Sequence, residues 1–431
     1  MRTSISQSRR IYRRSESVIA LALACAFSLL VQGCSSSSST SPTPTLFPTS
    51  TIIIPTPTPT PTFDAPVKPT VIRTILLSKT PEARATVTSP PQLSPTPTAL
   101  SRVEVQHSGD SFVLAVNSRP TIVRGMNYNV NYTQLAQDLQ LKLHRRDFKV
   151  LSDAGVNAVI GWGIYDQVTL QVAEEFGIGV IMPYELDPDG AFDNEGYRNQ
   201  IKADFRDYVI RFRNYPAVWG WNPGGDELLY RMRNEKHRTV DKIQIAADLE
   251  LELVTLAHAL DPNHINVIKE PRDWFIKYLD VAIQKTGTRP DFKDLNRYLI
   301  YGVNVYGHFD DIEMTLKNAK QTLNSQMGLA MLVSEFGPFN SPRVDRPANY
   351  AGIWDIVSRI SNFGGCAYAF GPDQPNPAVP NPYDPLTLLP NEYSLVDMNG
   401  KPVDDSLGAL AVKWLPLTTG ALSPPIAPTS K

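Results

Sequence analysis

The feature that most constrains the fold is a repeated alternation of short apolar runs and amphipathic stretches between about residues 101 and 415. Eight runs have the length of β-strands, and they are almost continuously apolar. Strands of a parallel sheet that is covered on both faces have this pattern, whereas a strand with one wet face alternates. The predicted strands are Ile122–Met126, Val156–Trp162, Ile178–Pro183, Ala217–Trp221, Ile265–Lys269, Leu299–Val305, Ala330–Glu335 and Cys366–Phe370.

The segments between these runs carry apolar residues at helical spacing, so each predicts a helix with one buried face. Asp310 or Asp311 is the predicted N-cap of one of these helices. The buried faces are predicted at Ile201, Phe205, Tyr208 and Phe212, at Ile243, Ala247, Leu251 and Val254, and at Ile312, Leu316, Ala319 and Leu323.

Eight strand–helix units in roughly 310 residues predict an α/β fold of the (β/α)8 TIM-barrel type. Residues Val103–Val116 precede the first barrel strand and predict a hairpin that covers the barrel bottom. A doubly wound open sheet is the alternative. It is disfavoured because no G-x-G-x-x-G turn follows a predicted strand.

The N-terminus has the pattern of an export signal. Five arginines precede Val18–Val31, an uncharged apolar run that is too short to span a membrane comfortably. Val31-Gln32-Gly33-Cys34 resembles a bacterial lipobox, so residues 1–33 are predicted to be a lipoprotein signal peptide and Cys34 the lipidated residue. This predicts a secreted, cell-surface lipoprotein held at the bacterial membrane; ordinary secretion is the alternative.

A Ser/Thr/Pro-rich segment separates this signal from the barrel. Of the 37 prolines, 14 lie in the first 100 residues. Proline removes backbone donors and stiffens the chain, so residues 34–100 are predicted to be a disordered linker. The barrel domain is predicted over residues 101–417, and residues 418–431 are predicted to be a flexible tail.

The overall charge excludes nucleic acid as an expected partner, because 41 Lys and Arg face 43 Asp and Glu and leave no basic excess. Cys25, Cys34 and Cys366 are too few and too scattered for a disulfide framework or a cysteine metal site. Cys366 lies in an apolar run and is predicted to be a core residue. The 6 histidines show no His-x-x-x-His spacing, so no metal is predicted. No cofactor is predicted either, because glycosidic cleavage by two carboxyl groups needs none.

Two glutamates follow predicted strands on opposite sides of the barrel mouth. Glu227 comes after the fourth strand, and Glu335 ends the seventh. Function collects at the carboxyl ends of barrel strands, and glycosidic cleavage needs two facing carboxyl groups, one to protonate the leaving oxygen and one to attack. Glu185 and Glu270 also end strands and are the rival carboxylates, predicted to bind substrate or to be solvated.

The surroundings of both glutamates resemble the clan A glycoside hydrolases, which are retaining (β/α)8 enzymes. Tyr215–Trp221, continuing to Asp226-Glu227, is similar to their strand-four signature, and Ser334–Gly337 to that of strand seven. Weaker matches are Arg124–Tyr128, Ala154–Asn157, Gly302–Tyr306 and, for the closing segment of family 2 β-glycosidases and β-1,3-glucanosyltransferases, Glu392–Asp397 with Gly400-Lys401-Pro402.

The resemblance implies a retaining β-glycoside hydrolase that acts on a β-linked oligo- or polysaccharide, with Glu227 as acid/base and Glu335 as nucleophile. It also implies that Tyr306 orients the nucleophile. The further residues predicted to bind substrate are Asp226, Asn304, His308, Trp162 and Tyr368.

The sequence departs from the family pattern at three positions. Ile160 stands where the clan usually has an arginine that helps to keep the nucleophile ionised, so another donor such as Tyr306 has to compensate. Asp226 replaces the usual asparagine, and Tyr368 replaces a common tryptophan. Ile160 and Asp226 keep open a non-catalytic carbohydrate-binding envelope lipoprotein on the same fold. The other alternative is a β-glucan transglycosylase, which depends on the shape of the acceptor site and on water access.

Overall fold

All eight predicted barrel strands form, and they close into a parallel barrel in which strands pair in chain order and the last pairs with the first. The computed structural model describes residues 100–419 except 109–110, 164, 234–238, 287–293, 340, 374–376 and 382–383. The strands are β1 (Val103–Ser108), β2 (Ser111–Val116), β3 (Arg119–Pro120), β4 (Val123–Tyr128), β5 (Ala158–Ile160), β6 (Gly179–Glu185), β7 (Val218–Gly224), β8 (Ile265–Pro271), β9 (Leu299–Gly307), β10 (Ala330–Pro338) and β11 (Gly364–Phe370). The closed barrel, formed by β4 to β11, excludes the open doubly wound sheet.

Helices surround the barrel, and the three predicted apolar faces lie against it, with all their residues buried except the half-buried Tyr208. The helices are α1 (Gln137–Asp153), α2 (Gln167–Glu175), α3 (Glu195–Phe212), α4 (Leu228–Arg233), α5 (Val240–Leu260), α6 (Ile276–Thr286), α7 (Phe309–Lys320), α8 (Arg346–Ile360), α9 (Ser406–Trp414) and α10 (Pro416–Thr419). None of the helices within the described ranges combines the length and the hydropathy that crossing a bilayer requires.

One predicted helix start is wrong. Helix α7 begins at Phe309, so its N-cap is His308, and Asp310 and Asp311 lie in its first turn. The His308 side chain makes no capping hydrogen bond. Two carboxylates in the first turn still favour the helix, because its N-terminus carries partial positive charge.

The predicted hairpin at the barrel bottom is confirmed. β1 and β2 pair antiparallel, and β3 adds a short third strand. Four of their side chains, Val103, Val105, Phe112 and Leu114, belong to one buried cluster with inward-facing residues of the barrel strands. Cys366 is a buried member of the same cluster, as predicted.

A polar chain ties the start of the domain to the barrel. Ser101 Oγ lies 2.9 Å from His264 Nε2, and His264 Nδ1 lies 2.6 Å from Asp261 Oδ2. Trp221 Nε1 donates to the same Asp261 oxygen at 3.0 Å, so Trp221 points outward from β7. Each of these buried polar groups therefore has a partner, as burial requires.

Candidate active site

Glu227 lies in the turn between β7 and α4, at the carboxyl end of the barrel. Gly224 and Gly225 take φ values of 100° and 75°, which favour glycine, and Glu227 itself has φ 51°. Its backbone N–H donates to Lys269 O at 3.2 Å, and Arg231 N–H donates to Glu227 O at 2.9 Å. The left-handed backbone of Glu227 is thus held from both sides, and the side chain stays partly exposed.

Glu335 points into the barrel because β10 carries an irregularity. Ala330 and Leu332 face the interior cluster, so strict alternation would turn Ser334 inward and Glu335 outward. The pairing of β10 with β9 shifts register between Leu332 and Glu335, which is how a β-bulge redirects a side chain. Ser334 Oγ donates to Asn304 Oδ1 at 2.7 Å, so both residues face the same interior.

The structure brings together the two predicted catalytic carboxylates. Asp226, Glu227 and Glu335 each contribute an oxygen to a group in which all the atoms lie within 4.8 Å of one another. Asp226 and Glu335 are buried, whereas Glu227 is partly exposed.

Two predicted site residues contact these carboxylates directly. The Tyr306 hydroxyl donates to Glu335 Oε2, and Asn304 Nδ2 donates to Glu227 Oε1 at 2.9 Å. Because Asn304 also accepts from Ser334, its amide is locked in one orientation. Asn304 therefore acts as a support for Glu227 in this structure.

Lys269 is the site residue that the sequence analysis missed. It lies on β8, is fully buried, and places its Nζ 2.7 Å from Glu335 Oε1 and 3.0 Å from Asp226 Oδ1. Burial opposes the charged ammonium, but the carboxylates of Asp226 and Glu335 outweigh that effect and raise the pKa of Lys269. The signal for Lys269 that the sequence offered was its position at the end of an otherwise apolar run, Ile265–Lys269.

Three predicted substrate contacts lie apart from the carboxylate pair or are covered. Tyr368 is fully buried, packs edge-on against Tyr306 and Tyr393, and donates its hydroxyl to Asp373 Oδ2 at 3.2 Å. Tyr368 thus exposes no ring face in this structure, and its predicted sugar contact stays a prediction. His308 is exposed at the start of α7, and Trp162 is partly exposed beyond β5; their sugar contacts remain predictions.

The rival carboxylates have structural partners. Glu185 forms an ion pair with Arg231 and accepts from Asp226 N–H at 3.1 Å. Glu270, predicted to bind substrate or to be solvated, is instead fully buried. Its oxygens accept from the backbone N–H groups of Leu229 and Tyr230 at 2.7 and 3.2 Å.

The group of Asp226, Glu227 and Glu335 has the donor type and spacing of a cation site. Its surroundings fit a metal ion poorly. The Lys269 ammonium already lies within 3.0 Å of Asp226 and Glu335 and would repel a divalent cation. Asn304 directs an amide donor at Glu227, where a metal ligand would need a free lone pair.

Comparisons with known proteins support the fold. No family model and no curated protein matches this chain. Among solved structures, Bacteroides uniformis β-glucuronidase 2, covalently bound to cyclophellitol-6-carboxylate aziridine, aligns at TM-score 0.54 and 17% identity over 74% of this chain and 37% of that one. β-D-Glucuronidase from Dictyoglomus thermophilum aligns at TM-score 0.51 and 17% identity, over 73% and 53% of the two chains.

A third similar structure is a GH2 β-galacturonidase from Eisenbergiella tayi bound to galacturonate, with TM-score 0.52, 15% identity and coverage of 73% and 54%. This chain thus spans roughly half or less of the length of these enzymes. At such low identity the likeness establishes the shared barrel fold.

Proposed function

We propose that this chain is a retaining β-glycoside hydrolase in which Glu335 is the nucleophile and Glu227 the acid/base. The observation that carries this proposal is the approach of their carboxylate oxygens to within 4.8 Å at the carboxyl end of the barrel. Retaining enzymes hold the two carboxyl groups about 5–5.5 Å apart, whereas inverting enzymes need about 6.5–9.5 Å to admit a water.

The reaction follows from this geometry in two steps. In the first, a Glu335 oxygen forms a bond to the anomeric carbon while the bond to the leaving oxygen breaks and Glu227 transfers its proton to that oxygen. In the second, Glu227 takes a proton from water, the water oxygen bonds to the anomeric carbon, and the Glu335–sugar bond breaks. Two displacements return the β-configuration.

The proposed substrate is a β-linked glycan. The three similar structures are named as uronidases, so β-glucuronides and β-galacturonides are the first substrates to test. β-Glucosides and β-1,3-glucans follow from the sequence resemblance. Products longer than the substrate would indicate the transglycosylase alternative, because a sugar hydroxyl would have replaced water in the second step.

The test is hydrolysis of aryl β-glycosides with the anomeric configuration of the product followed by NMR. We expect retention in the wild-type protein and a loss of at least about 10³-fold in kcat for Glu335→Gln, because the amide cannot form the glycosyl ester. Glu227→Gln should lose far more activity on poor leaving groups than on dinitrophenyl glycosides, which depart without a proton. Undiminished hydrolysis by Glu335→Gln, or an inverted product, contradicts the proposal.

A second candidate is a carbohydrate-binding head without turnover. It is favoured by the burial of Glu335, whose side chain is 0% exposed and whose oxygens are held by Lys269 and Tyr306. Calorimetric binding of an oligosaccharide with no product formed over days would support this candidate. Turnover by the wild-type protein that Glu335→Gln abolishes would reject it.

We also propose that the domain is carried at the cell surface by a lipid on Cys34, which lies outside the described residues. The sequence resemblance to a lipobox supports this. In a bacterial host, wild-type protein should incorporate labelled fatty acid and fractionate with membranes, and Cys34→Ala should do neither. Equal fractionation of both proteins contradicts the anchor.

A further inference from the structure

We infer that Lys269 is the positioning residue that keeps Glu335 ionised and aimed, in place of the arginine that related barrels carry on their second strand. This inference rests on the proposed function and assigns one residue to it.

The Lys269 side chain enters the barrel interior. Ile265 and Val267, four and two residues earlier on β8, belong to the interior cluster, so Lys269 continues the same inward face. Its side chain is 0% exposed, and its Nζ reaches carboxylates from two other parts of the barrel at 2.7 and 3.0 Å. A buried ammonium of this kind is retained only when it is paired, and here both partners belong to the candidate site.

The Lys269 ammonium offsets part of the negative charge of the site. Glu227 has to carry a proton when it acts as an acid, which leaves Asp226 and Glu335 as the two negative groups. Without a cation, two buried carboxylates within 4.8 Å of each other cannot both stay ionised, and one takes up a proton. Lys269 bridges the two, so Glu335 remains a carboxylate, which is the form that can attack.

Arg231 of α4 is a second cation beside this bridge: it pairs with Glu185 and donates to Asp226 O at 3.1 Å. The groups that face Lys269 or its partners are Asp226 and Glu227 after β7, Tyr306 on β9, Glu335 on β10 and Cys366 on β11. Burial raises the pKa of the Cys366 thiol to about 12, so it stays neutral. The charge of Arg231 acts on Asp226 and Glu227, whereas Lys269 contacts Glu335 directly.

Position 160 shows why the cation comes from β8. Ile160 is 0% exposed and packs in the apolar interior cluster, so strand β5 offers no charge to the site. An asparagine at position 226 would leave Lys269 one carboxylate, whereas aspartate gives it two. Lys269 therefore supplies from β8 the charge that Ile160 does not supply from β5.

The experiment compares Lys269→Met with the wild-type protein and with Lys149→Met, a surface control whose lysine is 65% exposed in an i,i+4 pair with Asp153. We expect Lys269→Met to lose roughly 100-fold in kcat, and the acid limb of its kcat/KM profile to move up by about one pH unit, because the nucleophile now ionises without a cation. Lys149→Met should match the wild type. A positioning role should appear in kcat more than in KM.

A double variant covers the case in which Lys269→Met does not fold. Asp226→Asn/Lys269→Met removes one negative and one positive charge and leaves a single buried carboxylate. The acid limb of its kcat/KM profile should still lie at a higher pH than that of the wild type, but the shift should be smaller than in Lys269→Met. Labelling of Glu335 by an epoxide sugar analogue, followed by mass spectrometry, should be fastest in the wild type, slower in the double variant and slowest in Lys269→Met.

The outcomes separate the two proposals. A wild-type protein that hydrolyses β-glycosides, together with a folded single or double variant of unchanged pH profile and labelling rate, overturns the role of Lys269 and leaves the proposed function intact. A wild-type protein with neither turnover nor labelling on the whole substrate panel overturns the proposed function itself.

Discussion

Tyr306 connects the candidate nucleophile to an aromatic cluster at the barrel mouth. Its hydroxyl donates to Glu335 Oε2, and its ring packs edge-on against Tyr368 and Tyr393 with centroid distances of 5.9 and 5.3 Å. The two neighbouring rings restrict the ring of Tyr306, so the hydroxyl meets Glu335 in one geometry. Glu335 thus receives one donor from Lys269 and one from Tyr306.

Replacing Tyr306 by Phe should remove this hydrogen bond and keep the ring packing. A hydrogen bond to a charged group contributes about 1.5–3 kcal/mol, so kcat/KM should fall roughly 10- to 100-fold with little change in the melting temperature. Tyr301→Phe is the matched control, because the Tyr301 hydroxyl is buried without a hydrogen-bond partner among the described residues. Equal activity of Tyr306→Phe and wild type would show that the hydroxyl does not support the nucleophile.

At the scale of single residues, the sequence predicted that Glu227 and Glu335 meet and that Tyr306 contacts Glu335, and it missed Lys269. Glu227 and Glu335 were found because the ends of barrel strands are known places for function. Lys269 was missed because a lysine at the end of a strand is ordinarily solvated, and only the closed barrel places it beside Glu335. Glu335 points inward because the pairing of β10 with β9 shifts register, and no pattern in the sequence predicted that shift.

The element that presents Glu227 is the short helix α4, and Glu270 fixes its first turn. The Glu270 carboxylate accepts the N–H groups of Leu229 and Tyr230, which would otherwise lack partners at a helix start. Burial and the nearby Glu250 raise the pKa of Glu270, and burial raises that of Glu250. We interpret the pair as sharing one proton, with Glu270 the ionised member because it receives both N–H groups.

Glu270→Gln should therefore disturb Glu227, and Glu250→Gln should not. The amide NH2 of a glutamine at position 270 would face the backbone N–H of Leu229 or Tyr230, so that two donors meet. This should lower the free energy of unfolding by about 1–3 kcal/mol. Activity should fall more on poor leaving groups than on dinitrophenyl glycosides, because proton delivery is impaired. Gln at position 250 resembles a protonated glutamate and should change little. Identical leaving-group dependence in all three proteins would contradict this role of Glu270.

Elements were predictable where they repeat a pattern and unpredictable where they are short. The eight apolar runs located every barrel strand, because burial on both faces leaves a continuous signal over five or more residues. Helix α4 has 6 residues, too few to show a helical period. The N-cap of α7 is His308, and histidine is not among the residues that usually mark an N-cap, which are Ser, Thr, Asp and Asn.

At the scale of the whole domain, the two ends of the barrel are built differently. The bottom is closed by β1 and β2, whose apolar side chains complete the interior cluster. Side-chain hydrogen bonds from Ser101 to His264 and from His264 to Asp261 also hold this end together. The opposite end carries the charged groups, including Lys269 and the candidate carboxylates. This division agrees with the general rule that the lower face of such barrels serves stability and the upper face function.

A buried histidine should make the stability of the whole domain depend on pH. His144 of α1 meets the Tyr128 hydroxyl of β4 at 2.8 Å and Thr169 Oγ1 of α2 at 3.3 Å, and burial lowers its pKa from 6.5 to about 4. As the pH falls from 6.5 to 4, the unfolded chain therefore binds a proton that the folded domain does not, which favours unfolding by up to roughly 3 kcal/mol.

Urea unfolding of the domain at pH 7 and pH 4.5 tests this dependence. Wild type should lose more stability between the two pH values than His144→Gln, because glutamine has no proton to gain, although the variant is less stable at pH 7. The exposed His107→Gln should retain the wild-type difference, since its ring lies at the surface. Acidic groups that titrate in both proteins cancel in the comparison. An equal loss in wild type and His144→Gln would place the pH dependence elsewhere in the domain.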